Sequence, residues 1–164
     1  MYYSKLITFD VCNGDGWRVT LYVSGCKRNC PGCFNPETHN PFYGKPFTEK
    51  TKKLIFNELS KDVISGITLL GGEPMSELSD NRKVVIDLCK EIKEKFPTKT
   101  ITMFTGYTVE ELYKNNSTKD IFKYVDYIID GPYIEKYKDP NLKFRGSSNQ
   151  RIVKIMDRTW QEIT

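Results

Sequence analysis

Arg18–Gly25, RVTLYVSG, alternates the apolar side chains Val19, Leu21 and Val23 with Thr20, Tyr22 and Ser24. A period of two predicts a strand with two distinct faces. The strand runs directly into Ser24–Asn35, SGCKRNCPGCFN, where three of the chain's five cysteines fall within eight residues. Whatever these thiols do is therefore done at the carboxyl end of a strand.

The rest of the chain repeats that arrangement. Residues 47–61, FTEKTKKLIFNELSK, predict a helix with Thr48 as N-cap and Leu54, Ile55 and Leu59 on one side. Ile67–Leu70 is a short buried strand stopped by Gly71, Gly72 and Pro74. From Asp80, Val84, Val85, Leu88, Cys89, Ile92 and Phe96 form an apolar stripe at helical spacing, with Pro97 just beyond. Lys99–Tyr107 is a strand and turn, and Thr108 with Glu111 makes a capping box for the short helix that follows. Tyr124–Tyr133 holds another strand, ending at Asp130 and Gly131, and Arg151–Met156 the last. Strands alternating with helices predict an α/β fold of βαβ units around a parallel sheet, with ligands at the carboxyl ends of its strands. No internal repeat or domain linker interrupts the 164 residues, so one domain, 1–164, is expected.

Composition narrows the classes. Hydrophobic residues at 38% and charged residues at 28% suit an ordinary soluble protein. No run approaches the roughly eighteen apolar residues of a membrane span, and the opening MYYSKLITFD has no leader pattern, so a cytoplasmic chain with no membrane partner is expected. The net charge of +4 is spread along the chain and points to a solvated surface, not to nucleic acid. Cysteines that are odd in number and clustered suit metal binding in a reducing compartment better than a disulfide framework. Cys89 lies on an apolar helical stripe and is a core residue.

Cys26, Cys30 and Cys33 have the spacing C-x3-C-x2-C, and Pro31 and Gly32 let the loop wrap. A structural zinc ion would need His39, the only histidine, as fourth ligand. Three unligated thiols would oxidise readily. A four-iron cluster held by three thiolates would leave one iron open for a substrate or cofactor. Gly71-Gly72-Glu73-Pro74 is by itself an ordinary turn, yet its glycines also let a ligand approach the backbone closely.

C-x3-C-x2-C followed by GGEP resembles the radical S-adenosylmethionine superfamily. Within it the chain is similar to the activating enzymes of anaerobic (class III) ribonucleotide reductase. The likeness is carried by CNGDGWRVTLYVSGC (12–26), CPGCFN (30–35), GGEP (71–74), FTGY (104–107), DGPY (130–133) and FRGSSNQR (144–151), and it runs from about Phe9 to Arg151. The resemblance implies a short, incomplete version of the (βα)6 partial barrel, open toward a large partner. It implies that Cys26, Cys30 and Cys33 are the catalytic and metal residues, holding a [4Fe-4S] cluster whose fourth iron is chelated by S-adenosylmethionine. Reductive cleavage of that cofactor would give a 5′-deoxyadenosyl radical, which takes hydrogen from a glycine Cα of the partner reductase. Gly32, Cys33 and Phe34 would contact the nucleoside, and Gly71, Gly72 and Glu73 the methionine end, although Phe34 also suits a half-buried loop aromatic. Phe104 stands where a tryptophan is expected. A low-potential donor such as flavodoxin would supply the electron, and Lys27 and Arg28 would favour the reduced cluster unless they are plain solvated charges. Asp130 is expected to cap its own turn ahead of binding cofactor, and Arg145, Asn149, Gln150 and Arg151 to serve structure or docking before catalysis. The alternatives are a sibling such as a pyruvate formate-lyase activase, or a zinc-stabilised binding module.

Overall fold

The computed structural model describes residues 1–156 and 158–163. Its strands are β1 (Tyr2–Asp10), β2 (Trp17–Val23), β3 (Lys45–Pro46), β4 (Ile64–Gly71), β5 (Thr100–Phe104), β6 (Tyr127–Asp130), β7 (Arg151–Met156) and β8 (Thr159–Glu162), and its helices α1 (Glu49–Leu59), α2 (Asn81–Lys95) and α3 (Val109–Lys114). All eight strands join one sheet in the order β3-β1-β2-β4-β5-β6-β7-β8. The middle of the sheet, β2 to β4 to β5 to β6, is parallel, and each link between these strands carries one of the helices. Parallel neighbours need such long crossovers, whereas short or helix-free links return the chain antiparallel.

That rule corrects the expectation of a purely parallel sheet. β1 pairs antiparallel with β2 across the short 11–16 loop, and β7 pairs antiparallel with β6 after a connection without an α-helix. β1 escapes a period-two reading because its register with β2 shifts twice, between Tyr3 and Lys5 and between Ile7 and Asp10. β7 is not the last strand, since β8 pairs with it. On α1 the buried positions are Thr51, Ile55 and Leu59, while Leu54 is 45% exposed. Leu54 and Ile55 are adjacent and so about 100° apart around the helix, and only one of them can face inward. Thr48 caps α1 in a capping box closed by Thr51, and Thr108 caps α3 in one closed by Glu111.

One face of the sheet is the core. Val19, Ile67 and Ile101 stand in register, as do Leu21, Leu69, Met103, Ile128 and Val153, and all are essentially buried. Ile55 and Leu59 of α1 and Val85, Leu88, Cys89 and Ile92 of α2 complete the same cluster. The opposite face is polar: Thr20, Thr68 and Thr102 align across it, one step along from Arg18. Arg18 is 2% exposed. Its Nε donates to Thr68 Oγ1 (2.8 Å), Nη1 to Thr100 Oγ1 (2.9 Å) and Nη2 to the carbonyls of Ile67 (2.7 Å) and Thr100 (3.0 Å). Burial pulls its pKa below the ordinary arginine value, against the charges of Asp126, Asp15 and Asp10. Gly66 makes room here, since a Cβ at that position would collide with the Thr100 carbonyl.

Asp130, at the end of β6, is 1% exposed and does not cap its own turn. Its Oδ2 accepts the Val109 N–H at the start of α3 (2.8 Å), and its Oδ1 accepts Arg151 Nε (2.9 Å). Arg151 also reaches the half-exposed Glu110 through Nη2 (2.8 Å), so one guanidinium clamps β6, β7 and α3 together.

Two stability predictions follow from these arginines. Arg18→Met strands several buried acceptors and should cost about 2–4 kcal/mol in urea unfolding. Hydrogen bonds from Arg151 lower the Glu110 pKa against a smaller opposing effect of burial. A depressed folded pKa gives stability that is complete above the ordinary glutamate value of 4.5 and is lost as pH falls through the folded value. The gap in stability between the wild type and Glu110→Gln, at most about 1 kcal/mol for so exposed a pair, should therefore be constant above pH 5 and close on acidification, as read by thermal unfolding at stepped pH.

Candidate metal centre

Because β2, β4, β5 and β6 are parallel, their carboxyl ends open on the same side, and the four loops beyond them meet. A cavity of about 230 Å³ is bordered there by Cys26, Cys30, Cys33 and Phe34 after β2, by Gly71, Gly72 and Glu73 at and beyond the end of β4, by Thr105 and Gly106 after β5, and by Gly131 and Tyr133 after β6. Gly146 and Gln150 of the 144–151 stretch close it.

Backbone bonds hold the cysteine loop against β4. The Gly72 N–H donates to the Val23 carbonyl (2.8 Å), the Glu73 N–H to the Gly25 carbonyl (3.1 Å), and the Gly25 N–H to the Thr38 carbonyl (2.7 Å). A Cβ on Gly72 would lie 3.1 Å from the carbonyls of both Gly25 and Thr38. The loop itself turns through left-handed residues at Asn29 (φ 47°) and Gly32 (φ 69°), and the Cys33 N–H donates back to Cys30. A side chain at Gly32 would also press on the Glu135 carboxylate.

The thiols of this loop differ from the other two. All three are free and half-buried, whereas Cys12 is exposed and Cys89 fully buried, its thiol pushed far up by burial. Burial also raises the Cys26 thiol, and the neighbouring Glu73, Cys30 and Cys33 add to the effect against a backbone hydrogen bond from Arg28. Thiols crowded in this way become good ligands once a cation neutralises them. A four-iron cluster takes its thiolates on separate irons, so it asks for thiols spread around a cavity. Among the described residues no three His, Cys, Asp or Glu side chains converge as the ligands of a single ion do. His39 also borders the cavity. Three half-buried thiols of one loop on one cavity are a donor set of the kind that holds an iron–sulfur cluster.

Glu73 is only 2% exposed and has its carboxylate engaged: Oε1 accepts the Met75 N–H (3.0 Å) and the Thr105 hydroxyl (2.8 Å), and Oε2 the Gly106 N–H (2.8 Å). Burial raises its pKa, opposed by these donors and by Arg28. Its side chain ties β4 to β5, leaving the backbone of Gly71 and Gly72 as the ligand-facing part of that stretch. Phe34 is 63% exposed at the cavity mouth, its ring 5.1 Å from Tyr133, with Lys138 above it and Gly146 beneath. Asn149 and Gln150 mostly bind their own neighbourhood, Asn149 Nδ2 donating to the Pro132 carbonyl (2.8 Å) and Gln150 Nε2 to that of Gly131 (3.1 Å). Arg145 Nη1 donates to the Gln150 carbonyl. These residues build the wall. Lys27 is a solvated charge, but Arg28 is not: its guanidinium lies 4.3 Å above the Tyr107 ring, and the loop spacing held no sign of that stack. Thr105 lines the cavity from the strand end where ligands are expected, and Tyr133 joins it from the DGPY stretch, whose spacing alone did not single that ring out.

Comparison with known proteins bears on the same residues. A family model described as a 4Fe-4S single cluster domain matches residues 12–153, which include every cavity residue named above. A protein of Enterobacteria phage T4 is 40% identical over 161 residues, 98% of this chain and 99% of the relative. One from Pasteurella multocida is 37% identical over 94% of this chain and 98% of the relative, and one from Escherichia coli K12 is 38% identical over 92% and 96%. All three are named anaerobic ribonucleoside-triphosphate reductase-activating protein. Likeness of this extent, reaching across the cysteine loop and the wall opposite it, means that the chain belongs to the family of anaerobic ribonucleoside-triphosphate reductase-activating proteins.

Proposed function

We propose that this chain activates an anaerobic ribonucleotide reductase by placing a glycyl radical on it, using a [4Fe-4S] cluster on Cys26, Cys30 and Cys33 together with S-adenosylmethionine. The observation that carries the reading is the meeting of three half-buried thiols with the Gly71-Gly72 strand end around one cavity at the carboxyl ends of the parallel strands. When bound, the two cofactors supply one electron and a cleavable carbon–sulfur bond, the source of the 5′-deoxyadenosyl radical that would take hydrogen from a glycine Cα of the reductase.

The chain's own part is geometry. Gly71 and Gly72 present bare backbone to the methionine end, and the Glu73 carboxylate holds that backbone by fixing Thr105 and Gly106 beside it. Cys33 and Phe34 border the nucleoside side, with the Phe34 ring at the mouth, and Gly32 would reach it only from the exposed turn just before Cys33. We read the sheet as a short, incomplete (βα)6-type partial barrel of the radical S-adenosylmethionine superfamily, one domain whose open side admits the partner. A second cavity of about 690 Å³ borders the polar face of the sheet, with Phe144 lining both cavities. The electron would come from an acidic low-potential carrier such as flavodoxin, to which a chain of net charge +4 is complementary. Among the described residues no helix is long and apolar enough to cross a membrane, in keeping with work in the cytoplasm.

Anaerobic reconstitution with iron and sulfide should yield a brown protein with about four irons per chain that forms 5′-deoxyadenosine from S-adenosylmethionine on reduction. Cys26→Ala, Cys30→Ala and Cys33→Ala should each abolish that product, and cleavage surviving in any of them would sink the assignment. Cys89→Ser should cleave normally and lose about 1 kcal/mol of stability. Gly72→Ala should keep its iron yet bind S-adenosylmethionine about tenfold more weakly by calorimetry, a loss near 1.4 kcal/mol.

A further inference from the structure

Arg28 lies in the loop between Cys26 and Cys30 and is held on three sides. Its guanidinium sits 4.3 Å above the ring of Tyr107, a cation–π arrangement. Its Cδ and Nε press on the backbone of Gly106, where a Cβ would collide with both. Its Nε stands 3.8 Å from Glu73 Oε2, too far for a hydrogen bond, and is buried with no acceptor among the described residues. Side-chain exposure is 25% for Arg28 and 64% for its neighbour Lys27, so the loop holds one fixed charge and one solvated charge.

A structural ion pair would have closed to hydrogen-bonding distance. Glu73 is held instead by three neutral donors at 2.8 to 3.0 Å, and the pair stays 3.8 Å apart. The positive charge is thus seated on an aromatic face beside the cavity of the three thiols, in a partly desolvated place where charges act more strongly than in water.

We propose that Arg28 is a positioning residue whose fixed positive charge raises the reduction potential of the cluster that Cys26, Cys30 and Cys33 hold. The proposal rests on the reading given under the proposed function. Reduction adds one electron, drawn from a one-electron donor, and neither makes nor breaks a bond. A nearby cation stabilises the more negative product. Removing Arg28 also leaves the Glu73 carboxylate uncompensated, which acts in the same direction.

The test is a redox titration of the anaerobically reconstituted full chain, following the spin-resonance signal of the reduced cluster under dithionite with mediators. Arg28→Met keeps the bulk without the charge and should lower the reduced-to-oxidised ratio at a given potential about tenfold, a fall of about 59 mV for a one-electron couple. Arg28→Lys should stay within about threefold of the wild type, or about 28 mV. Tyr107→Leu, which keeps the charge and removes its seat, should fall between. An unchanged midpoint in Arg28→Met overturns the proposal, and so does Arg28→Lys falling as far as Arg28→Met, since packing alone would then explain both. If Arg28→Met takes up no iron, Arg28→Lys and Tyr107→Leu still decide: both at the wild-type midpoint would overturn the proposal. A wild-type chain that takes up no iron would instead defeat the underlying reading.

Discussion

The buried Glu73 carboxylate is the joint on which the site depends. Placing it between β4 and β5 is costly in desolvation, and the Met75 and Gly106 amides and the Thr105 hydroxyl offset that cost. In return the ends of two parallel strands are locked to each other, and the Gly25 carbonyl locks the cysteine loop to the same residue through its N–H. One residue thus holds both sides, its side chain the end of β5 and its backbone N–H the cysteine loop.

The sheet below has an unusual division of labour. Its helix-covered face is aliphatic and provides the hydrophobic stabilisation through β2, β4, β5 and the helices. Its other face carries Thr20, Thr68 and Thr102 with Arg18 buried among them. Its hydroxyls and carbonyls are satisfied internally by Arg18, so the face does not collapse into a second apolar core. Thr102 of that ladder borders the second cavity, together with Arg18 and Thr100.

Much of this was legible in the residues. The alternation at Val19, Leu21 and Val23, the stripe through Val85, Leu88, Cys89 and Ile92, and the Thr108–Glu111 capping box lie where local periodicity put them, because each is a local preference that packing reinforces. The cysteine, Gly-Gly and DGPY stretches lie at strand ends around one cavity, as a parallel arrangement requires. What stayed hidden was long-range. The bulged β1 has no clean period, and Asp130 finds its partners 21 residues away on either side, at Val109 and Arg151, not in its own turn. The three donors that hold the Glu73 side chain are likewise brought near only by the fold.

Three arginines show how the acceptor, more than the residue type, decides what a buried cation does. Arg18 meets only neutral hydroxyls and carbonyls and becomes a spacer beneath the polar face. Arg151 meets two carboxylates and becomes a clamp on α3. Arg28 meets an aromatic ring at 4.3 Å and the Glu73 carboxylate at 3.8 Å without a hydrogen bond, so its charge is anchored mainly by packing. That anchored charge borders the cavity of the three thiols, from a loop position between Cys26 and Cys30.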